Sequence, residues 1–141
     1  MMDHVVYLDA KAKEMEKLLQ GNKTMIVRGA AGRKLPYGRV SMGDVLYLLE
    51  NDGTGLIRAK AEVKQVFNSE IMDRDQSAAL IDEHQDRLQL TPTQTKRWAG
   101  KRYLVLIALS NPESIKPFPI DKSEYGNMDD WLPVDDINSV K

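Results

Sequence analysis

The 141-residue chain contains no cysteine, which excludes disulfide bonds, thiolate catalysis and zinc sites with thiolate ligands. It has two histidines, His4 and His84, and they lie far apart in the sequence. His84 shares a predicted helical face with Leu80 and Leu88, so we expect it to be packed rather than catalytic. No metal-ligand spacing or nucleophile motif occurs, and we expect no metal and no other cofactor.

Long apolar runs are also missing, because no stretch approaches the length of a membrane span. The N-terminus carries charges of both signs instead of a basic region followed by an apolar one. We therefore expect a cytoplasmic protein that is not membrane-bound. The length predicts one domain over residues 1–141, with a core of about 12–120 and an acidic extension of about 121–141.

The charge is nearly balanced, with a formal net charge of −1, which argues against a protein that coats nucleic acid indiscriminately. The segment Gly21–Arg39 is the exception. Glycines allow the backbone to approach a ligand closely, so this segment predicts a local groove for RNA or a nucleotide-like small molecule. It contains no acid and five cationic side chains: Lys23, Arg28, Arg33, Lys34 and Arg39.

Helical spacing in the first twenty residues predicts a helix with Asp9 as N-cap and Gly21 as its stop. Residues Thr24–Arg28 are rich in branched apolar side chains and predict a short strand. A loop over Gly29–Gly38 follows. The apolar stripe of the predicted helix consists of Leu8, Ala12, Met15, Leu18 and Leu19. Two further strands are predicted over Val45–Glu50 and Leu56–Phe67, joined by the turn Asn51-Asp52-Gly53.

Two capping boxes, Asp73 with Gln76 and Thr91 with Gln94, predict helices of about 74–88 and 92–99. The apolar run Tyr103–Leu109 is typical of a strand buried on both faces. Three prolines after it predict an irregular segment with one edge strand near Phe118. Together these elements indicate an α+β fold, in which a small, mostly antiparallel barrel carries an N-terminal helix and an inserted helical pair.

Gly21-Asn22-Lys23 and Arg28 fit the G-x-K-x-x-E-x-R signature of ASCH domains, which are PUA-like β-barrels, with Ile26 in the position of the glutamate. Gly43–Tyr47 and Tyr103–Leu109 are also similar to strands of that family. The resemblance covers roughly residues 12–120 and implies a PUA-like β-barrel with a ligand groove at its mouth.

The resemblance implies an anion contact for Lys23, next to Thr24. Arg28 either pairs with a phosphate in a forked geometry or forms a structural pair with an acid such as Glu50. Tyr37, held between cations, can stack a base or simply pack. The predicted binding residues are Lys23, Thr24, Arg28, Arg33, Lys34, Tyr37, Arg39, Asn127 and Trp131.

Asn127 and Trp131 belong to a polar and aromatic segment after the last strand. Trp131 either stacks on a base or caps the barrel end, and Trp98 is expected in the core. Acids outnumber bases in this tail, which predicts either a cover or competitor for the basic groove, or a solvated segment. The acids are Asp121, Glu124, Asp129, Asp130, Asp135 and Asp136.

Three functions follow from these features. The first is an RNA- or nucleotide-binding module. The second is a hydrolase in the same groove, with Lys23 as base or electrostatic stabiliser, that acts on a modified nucleoside or on RNA. One ASCH branch resembles a hydrolase of acylated cytidine. That branch uses a lysine, a threonine three residues later and a distant glutamate. Here Ile26 takes the threonine position, which leaves Thr24 with Glu50, Glu62 or Asp129 as substitutes. The third is a protein-interaction domain whose acidic tail binds a basic partner.

Overall fold

The computed structural model describes residues 1–121 and 130–141. The strands are Asp3–Leu8 (β1), Met25–Ala30 (β2), Val45–Glu50 (β3), Leu56–Asn68 (β4), Tyr103–Pro119 (β5) and Trp131–Asp135 (β6). The α-helices are Glu14–Leu19 (α1), Arg74–Glu83 (α2), Gln85–Leu88 (α3) and Pro92–Trp98 (α4), and Ile137–Val140 forms a 3₁₀ helix. None of these helices has the length and apolar composition needed to cross a membrane.

One mixed, curled sheet contains the six strands in the order β2-β5-β4-β3-β1-β6. The β1–β3 pair is parallel and the other four pairs are antiparallel. Helices α2, α3 and α4 are inserted between β4 and β5, and α1 lies between β1 and β2. The prediction of an α+β fold with a mostly antiparallel barrel-like sheet is confirmed, and the sheet is a half-barrel.

The core has two main layers, one on each face of the sheet. On the inner face, Met15 and Leu18 of α1 pack with Ile26, Leu48 and Ile107. The outer face of β2 and β5 is covered by the inserted helices, whose apolar residues include Ile81, Leu88 and Trp98. Because β5 contributes to both layers, its segment Leu104–Leu109 is buried throughout, as its continuous apolar sequence predicted.

The predicted N-terminal helix forms, but it begins at Glu14 and not directly after Asp9. Residues Asp3–Leu8 form a strand because β3 supplies hydrogen-bonding partners for them in parallel register, and Leu8 faces the core from that strand. Asp9 begins a turn, in which its Oδ1 accepts the Ala12 N–H at 3.1 Å. The helix ends as expected before Gly21, whose φ of +81° suits glycine.

The segment after Leu109 is not irregular, since β5 continues to Pro119 opposite Leu56 of β4. Strand β2 pairs only with Tyr103–Ala108, so the later part of β5 has β4 as its partner on one side. Prolines are compatible with a strand when their missing N–H groups face an unpaired edge. The β4–β5 ladder contains register shifts, which are typical of β-bulges.

Both capping boxes form as predicted, on Asp73 and on Thr91. The helix predicted over 74–88 is interrupted at His84, where α2 ends and α3 begins. The backbone of His84 has a φ of −107° and a ψ of 9°, which are not helical angles. The single helix expected over 74–88 is therefore two consecutive helices.

Gly29 lies where β2 approaches β5 closely, so a substitution at this position tests that approach. A Cβ at this position would lie 2.6 Å from Leu104 Cδ2 and 3.0 Å from the Tyr103 carbonyl oxygen. We expect Gly29→Ala to lower the free energy of unfolding in urea by about 1–3 kcal/mol. The matched control is Gly32→Ala, where a Cβ would meet nothing within 4 Å and we expect a change within about 0.5 kcal/mol. Equal effects of the two substitutions would contradict this account.

Candidate functional site

Two adjoining cavities lie where β1, β2 and the start of β6 meet α4. The inner cleft, of about 200 Å³, is lined by Tyr7, Leu8, Asp9, Glu14, Arg28, Asn51, Gln94, Arg97, Trp98 and Asp130. The outer groove, of about 800 Å³, is lined by Arg28, Gly29, Ala30, Ala31, Lys34, Leu35, Arg97, Trp98, Lys101 and Asp130. Arg28, Arg97, Trp98 and Asp130 line both, so the two cavities form one continuous site.

Arg28 is the centre of this site and is 5% exposed. Its Nη1 donates to the Val27 carbonyl and its Nη2 to the Tyr7 carbonyl, both at 2.7 Å. Its Nε lies 3.0 Å from Asp130 Oδ2. From the sequence, Arg28 was expected either to contact a phosphate or to form a structural ion pair with an acid such as Glu50. The structure contains an ion pair, and the acid is Asp130.

The contact between Arg28 and Asp130 is close but poorly aligned. Although the two atoms lie within ion-pair distance, Arg28 Nε makes no hydrogen bond among the described residues. The indole rings of Trp98 and Trp131 lie 5.8 and 5.9 Å from the guanidinium carbon, which is within cation–π range. The guanidinium is therefore held firmly by its two Nη groups, while Nε lacks an acceptor in line with its N–H bond.

Lys23 is buried, with 1% exposure, and does not lie at an open strand mouth. Its Nζ lies 3.2 Å from Glu14 Oε2 and also donates to the Leu88 carbonyl. Glu14 is itself buried and lines the inner cleft, with Lys23 behind it. Glu14 therefore lines the cleft directly, whereas Lys23 lines neither cavity.

Burial and charge act in opposite directions on this pair. Burial lowers the pKa of Lys23 below its ordinary value, and the attraction of Glu14 offsets only part of that effect. For Glu14, burial alone raises the pKa, but the nearby charges of Lys23 and Arg28 outweigh it, and its pKa lies below the ordinary value. Glu14 is therefore a carboxylate at neutral pH.

The loop cations are placed differently from one another. Lys34 is exposed and lines the outer groove, whereas the exposed Arg39 lines neither cavity. Arg33 covers a packed pair of rings: its guanidinium carbon lies 5.7 Å from the ring of Tyr37 and 5.6 Å from that of Tyr103. The Tyr37 hydroxyl donates to the Ser69 carbonyl. Tyr37 is thus engaged within the protein in this structure.

Trp131 is buried and belongs to the core on the inner face of the sheet, so its ring is not exposed for stacking on a base in this structure. Its Nε1–H donates to His4 Nδ1 at 3.0 Å, and the opposite ring nitrogen of His4 lies 2.9 Å from Asp44 Oδ2. An indole N–H can only donate, so His4 carries its proton on Nε2. Asn127 lies outside the described residues. Thr24 is exposed, and its backbone N–H donates to the Arg87 carbonyl.

The site residues that were not predicted include Glu14, Gln94, Arg97 and Lys101. Gln94 was identified only as part of a capping box, and Arg97 and Lys101 come from the inserted helical region, far from the basic segment in sequence. For Glu14 a signal existed, since it precedes the buried Leu18 by four residues and so lies on the same helical face. The three residues on or after α4 carry no comparable signal.

The two cavities differ in charge. The outer groove has four cations, Arg28, Lys34, Arg97 and Lys101, against the single carboxylate of Asp130 among its described lining residues. The inner cleft has three carboxylates, Asp9, Glu14 and Asp130, against two guanidinium groups. The outer groove suits an anion, and the inner cleft suits an uncharged polar group.

A further cavity, of about 330 Å³, lies on the opposite face of the sheet between β4, β5 and α2. It is lined in part by the half-buried His84, whose Nδ1–H donates to the Leu80 carbonyl at 2.9 Å. None of the predicted site residues lines it. Within residues 1–121 and 130–141, no cluster of three or more metal-binding side chains occurs.

No protein-family model matches the sequence, and no curated protein matches it significantly. Three solved structures of the ASCH protein from Zymomonas mobilis are similar in fold. A tyrosine-to-phenylalanine variant and a serine-to-alanine variant share 13% identity with the chain, with a TM-score of 0.70 over 97% of it and 93% and 91% of theirs. The third structure of this ASCH protein shares 14% identity, with a TM-score of 0.67 over 94% of this chain and 87% of its own.

The protein therefore has the fold of an ASCH domain. This confirms, at the level of fold, the resemblance that the G-x-K segment and its neighbouring strands indicated.

The buried pair of Lys23 and Glu14 predicts a strong stability effect. Lys23→Met leaves a buried carboxylate with one partner fewer, and we expect a loss of about 3 kcal/mol in the free energy of unfolding. The double variant Lys23→Met/Glu14→Leu should lose less than the two single variants together, because neither charge is left behind. Urea unfolding of all four proteins gives the coupling. Additive losses would contradict a buried pair.

The contribution of Glu14 to the free energy of unfolding should also depend on pH. Because the folded-state pKa of Glu14 lies below its ordinary value of 4.5, the unfolded state takes up the proton first as pH falls. The stability that Glu14 contributes is therefore complete above about pH 4.5 and is lost at lower pH. Glu14→Gln should show a shallower loss than the wild type in urea unfolding across this range.

Proposed function

We propose that the protein binds single-stranded RNA or a nucleotide-like ligand, with phosphate groups in the outer groove. The observation that carries the proposal is the charge of that groove, where four cations face one carboxylate in a chain whose net charge is −1. Lys34, Arg97 and Lys101 are exposed and available to a ligand. A local cluster of this kind attracts phosphates and releases their counterions.

The inner cleft complements this arrangement by offering room for one uncharged hydrogen-bonding group such as a nucleobase. Gln94 lines it and is buried, with its Oε1 accepting the Thr91 N–H at 3.1 Å. Its Nε2 makes no hydrogen bond in the part of the chain that the structure describes, so it can donate to a base edge. A pocket of about 200 Å³ beside a basic groove suits recognition of a single unstacked base.

Salt dependence tests the phosphate contacts. We expect a short fluorescein-labelled single-stranded RNA to bind the wild type with an affinity that falls steeply with salt. In Lys34→Ala/Lys101→Ala, the slope of log K against log salt should decrease in magnitude by about 1.4, because two phosphate contacts to a single strand are removed. Fluorescence anisotropy at several salt concentrations gives both quantities.

The matched control is Lys64→Ala/Lys116→Ala, which removes the same charge at exposed sites outside the groove. Its slope should remain close to that of the wild type. Equal changes in both double variants would show that net charge, rather than the groove, drives binding. Absence of wild-type binding at low salt would refute the RNA proposal.

A second candidate function, hydrolysis of an acylated cytidine, is favoured by one observation. Lys23 has a lowered pKa and contacts Glu14, which faces the inner cleft. A lysine of this kind can take part in proton transfer. The sequence analysis suggested Glu50, Glu62 or Asp129 as the acid that acts together with Lys23. In the structure, Glu14 is the acid in contact with Lys23.

If this second proposal holds, incubation with N4-acetylcytidine should release cytidine and acetate. Glu14→Gln should reduce turnover by at least about a hundredfold, since a proton-transfer group contributes this much. Glu62→Gln, which changes an exposed acid that accepts a hydrogen bond from Asn111, serves as the control and should be fully active. No product from the wild type, measured by chromatography, would eliminate this substrate.

A further inference from the structure

Asp130 holds a special position in the site. It is the only acidic side chain among the described residues of the outer groove, and it also lines the inner cleft. Its carboxylate therefore lies at the junction of the two cavities, within ion-pair distance of both Arg28 and Arg97. An anionic group of a ligand that reaches Arg28 must meet this carboxylate.

The contacts of the carboxylate are close enough to neutralise charge but are not optimal. Oδ2 lies 3.0 Å from Arg28 Nε without a hydrogen bond, and 3.9 Å from Arg97 Nη2. Arg97 is 59% exposed and the Asp130 side chain 31%, so water weakens their attraction. A phosphate has more acceptor oxygens and can align one of them with the Nε–H bond while another reaches Arg97.

The backbone that carries this carboxylate is fixed. The Asp130 carbonyl accepts the Tyr7 N–H at 2.9 Å, and the next residue, Trp131, is buried and bonded to His4. The side chain can thus leave Arg28 by rotating about its own bonds while β6 stays paired with β1. Because it is tethered beside its partner, the carboxylate competes at a high effective concentration.

We infer that the Asp130 carboxylate is an internal competitor that occupies the place of a ligand phosphate at Arg28 and Arg97. This inference rests on the proposed RNA binding. The ligand must displace the carboxylate to bind, so the wild-type affinity is lower than the groove alone would give. A change that neutralises Asp130 removes the competitor and leaves Arg28 Nε available.

The experiment compares Asp130→Asn with Asp135→Asn. Asparagine keeps the shape of the side chain and removes its charge. Asp135 is exposed, lies nearby on β6 and lines neither cavity, and asparagine tolerates its φ of +56°. With the same labelled RNA at fixed salt, we expect Asp130→Asn to bind about tenfold more tightly and Asp135→Asn to change affinity less than twofold. Asp130→Ser is the second variant if the amide impairs folding, which urea unfolding reports.

A second readout separates this inference from the proposal on which it rests. The Nε–H resonance of Arg28 in NMR spectra should shift on titration with inorganic phosphate, at a lower phosphate concentration in Asp130→Asn than in the wild type. Equal RNA affinity of Asp130→Asn and wild type would overturn the competitor while RNA binding stands. Equal tightening in both asparagine variants would also overturn it, because a general charge effect would then suffice.

If no variant binds RNA, the proposed function fails. The phosphate titration then decides the inference by itself: an Arg28 resonance that responds at the same phosphate concentration in both proteins, or in neither, refutes an internal competitor.

Discussion

The site depends on the burial of one positive charge, the guanidinium of Arg28. Moving such a group out of water is unfavourable by several kcal/mol unless partners compensate it. Here two backbone carbonyls, a carboxylate and two indole rings surround it. Strands β2 and β6 are the two ends of the sheet order, and the ion pair between Arg28 and Asp130 joins them. A polar contact therefore bridges the opening of the half-barrel where no backbone ladder does.

Two buried cations belong to this part of the chain, Lys23 just before β2 and Arg28 within it, and both donate to backbone carbonyls. Arg28 donates to the carbonyls of Val27 and Tyr7, and Lys23 donates to that of Leu88. Buried backbone carbonyls without a donor are unfavourable when water is excluded. The planar fork of arginine serves two carbonyls at once, which lysine cannot do. Both buried cations thus have structural partners, and the exposed cations of the outer groove lie elsewhere.

The parts of this fold that follow local rules were predictable from the sequence. Strand β3 and the capping boxes on Asp73 and Thr91 depend on nearby residues, and they form as expected. Strand β1 and the long continuation of β5 depend on partners far along the chain, which local patterns do not reveal. The same holds in the site. The basic segment supplied Arg28 and Lys34, but Arg97, Lys101 and Glu14 join them only through folding.

Exposure separates the cations that hold the structure from those that are free to bind. Lys23 and Arg28 are buried and their charges are compensated, whereas Lys34, Arg97 and Lys101 are exposed around a common groove. Cations placed this close repel one another, and this repulsion opposes folding. Among the described residues of the groove, only Asp130 relieves it. An incoming anion would relieve the repulsion that remains, so under the proposed function the unbalanced charge that opposes folding of the free protein would also favour the binding of phosphate.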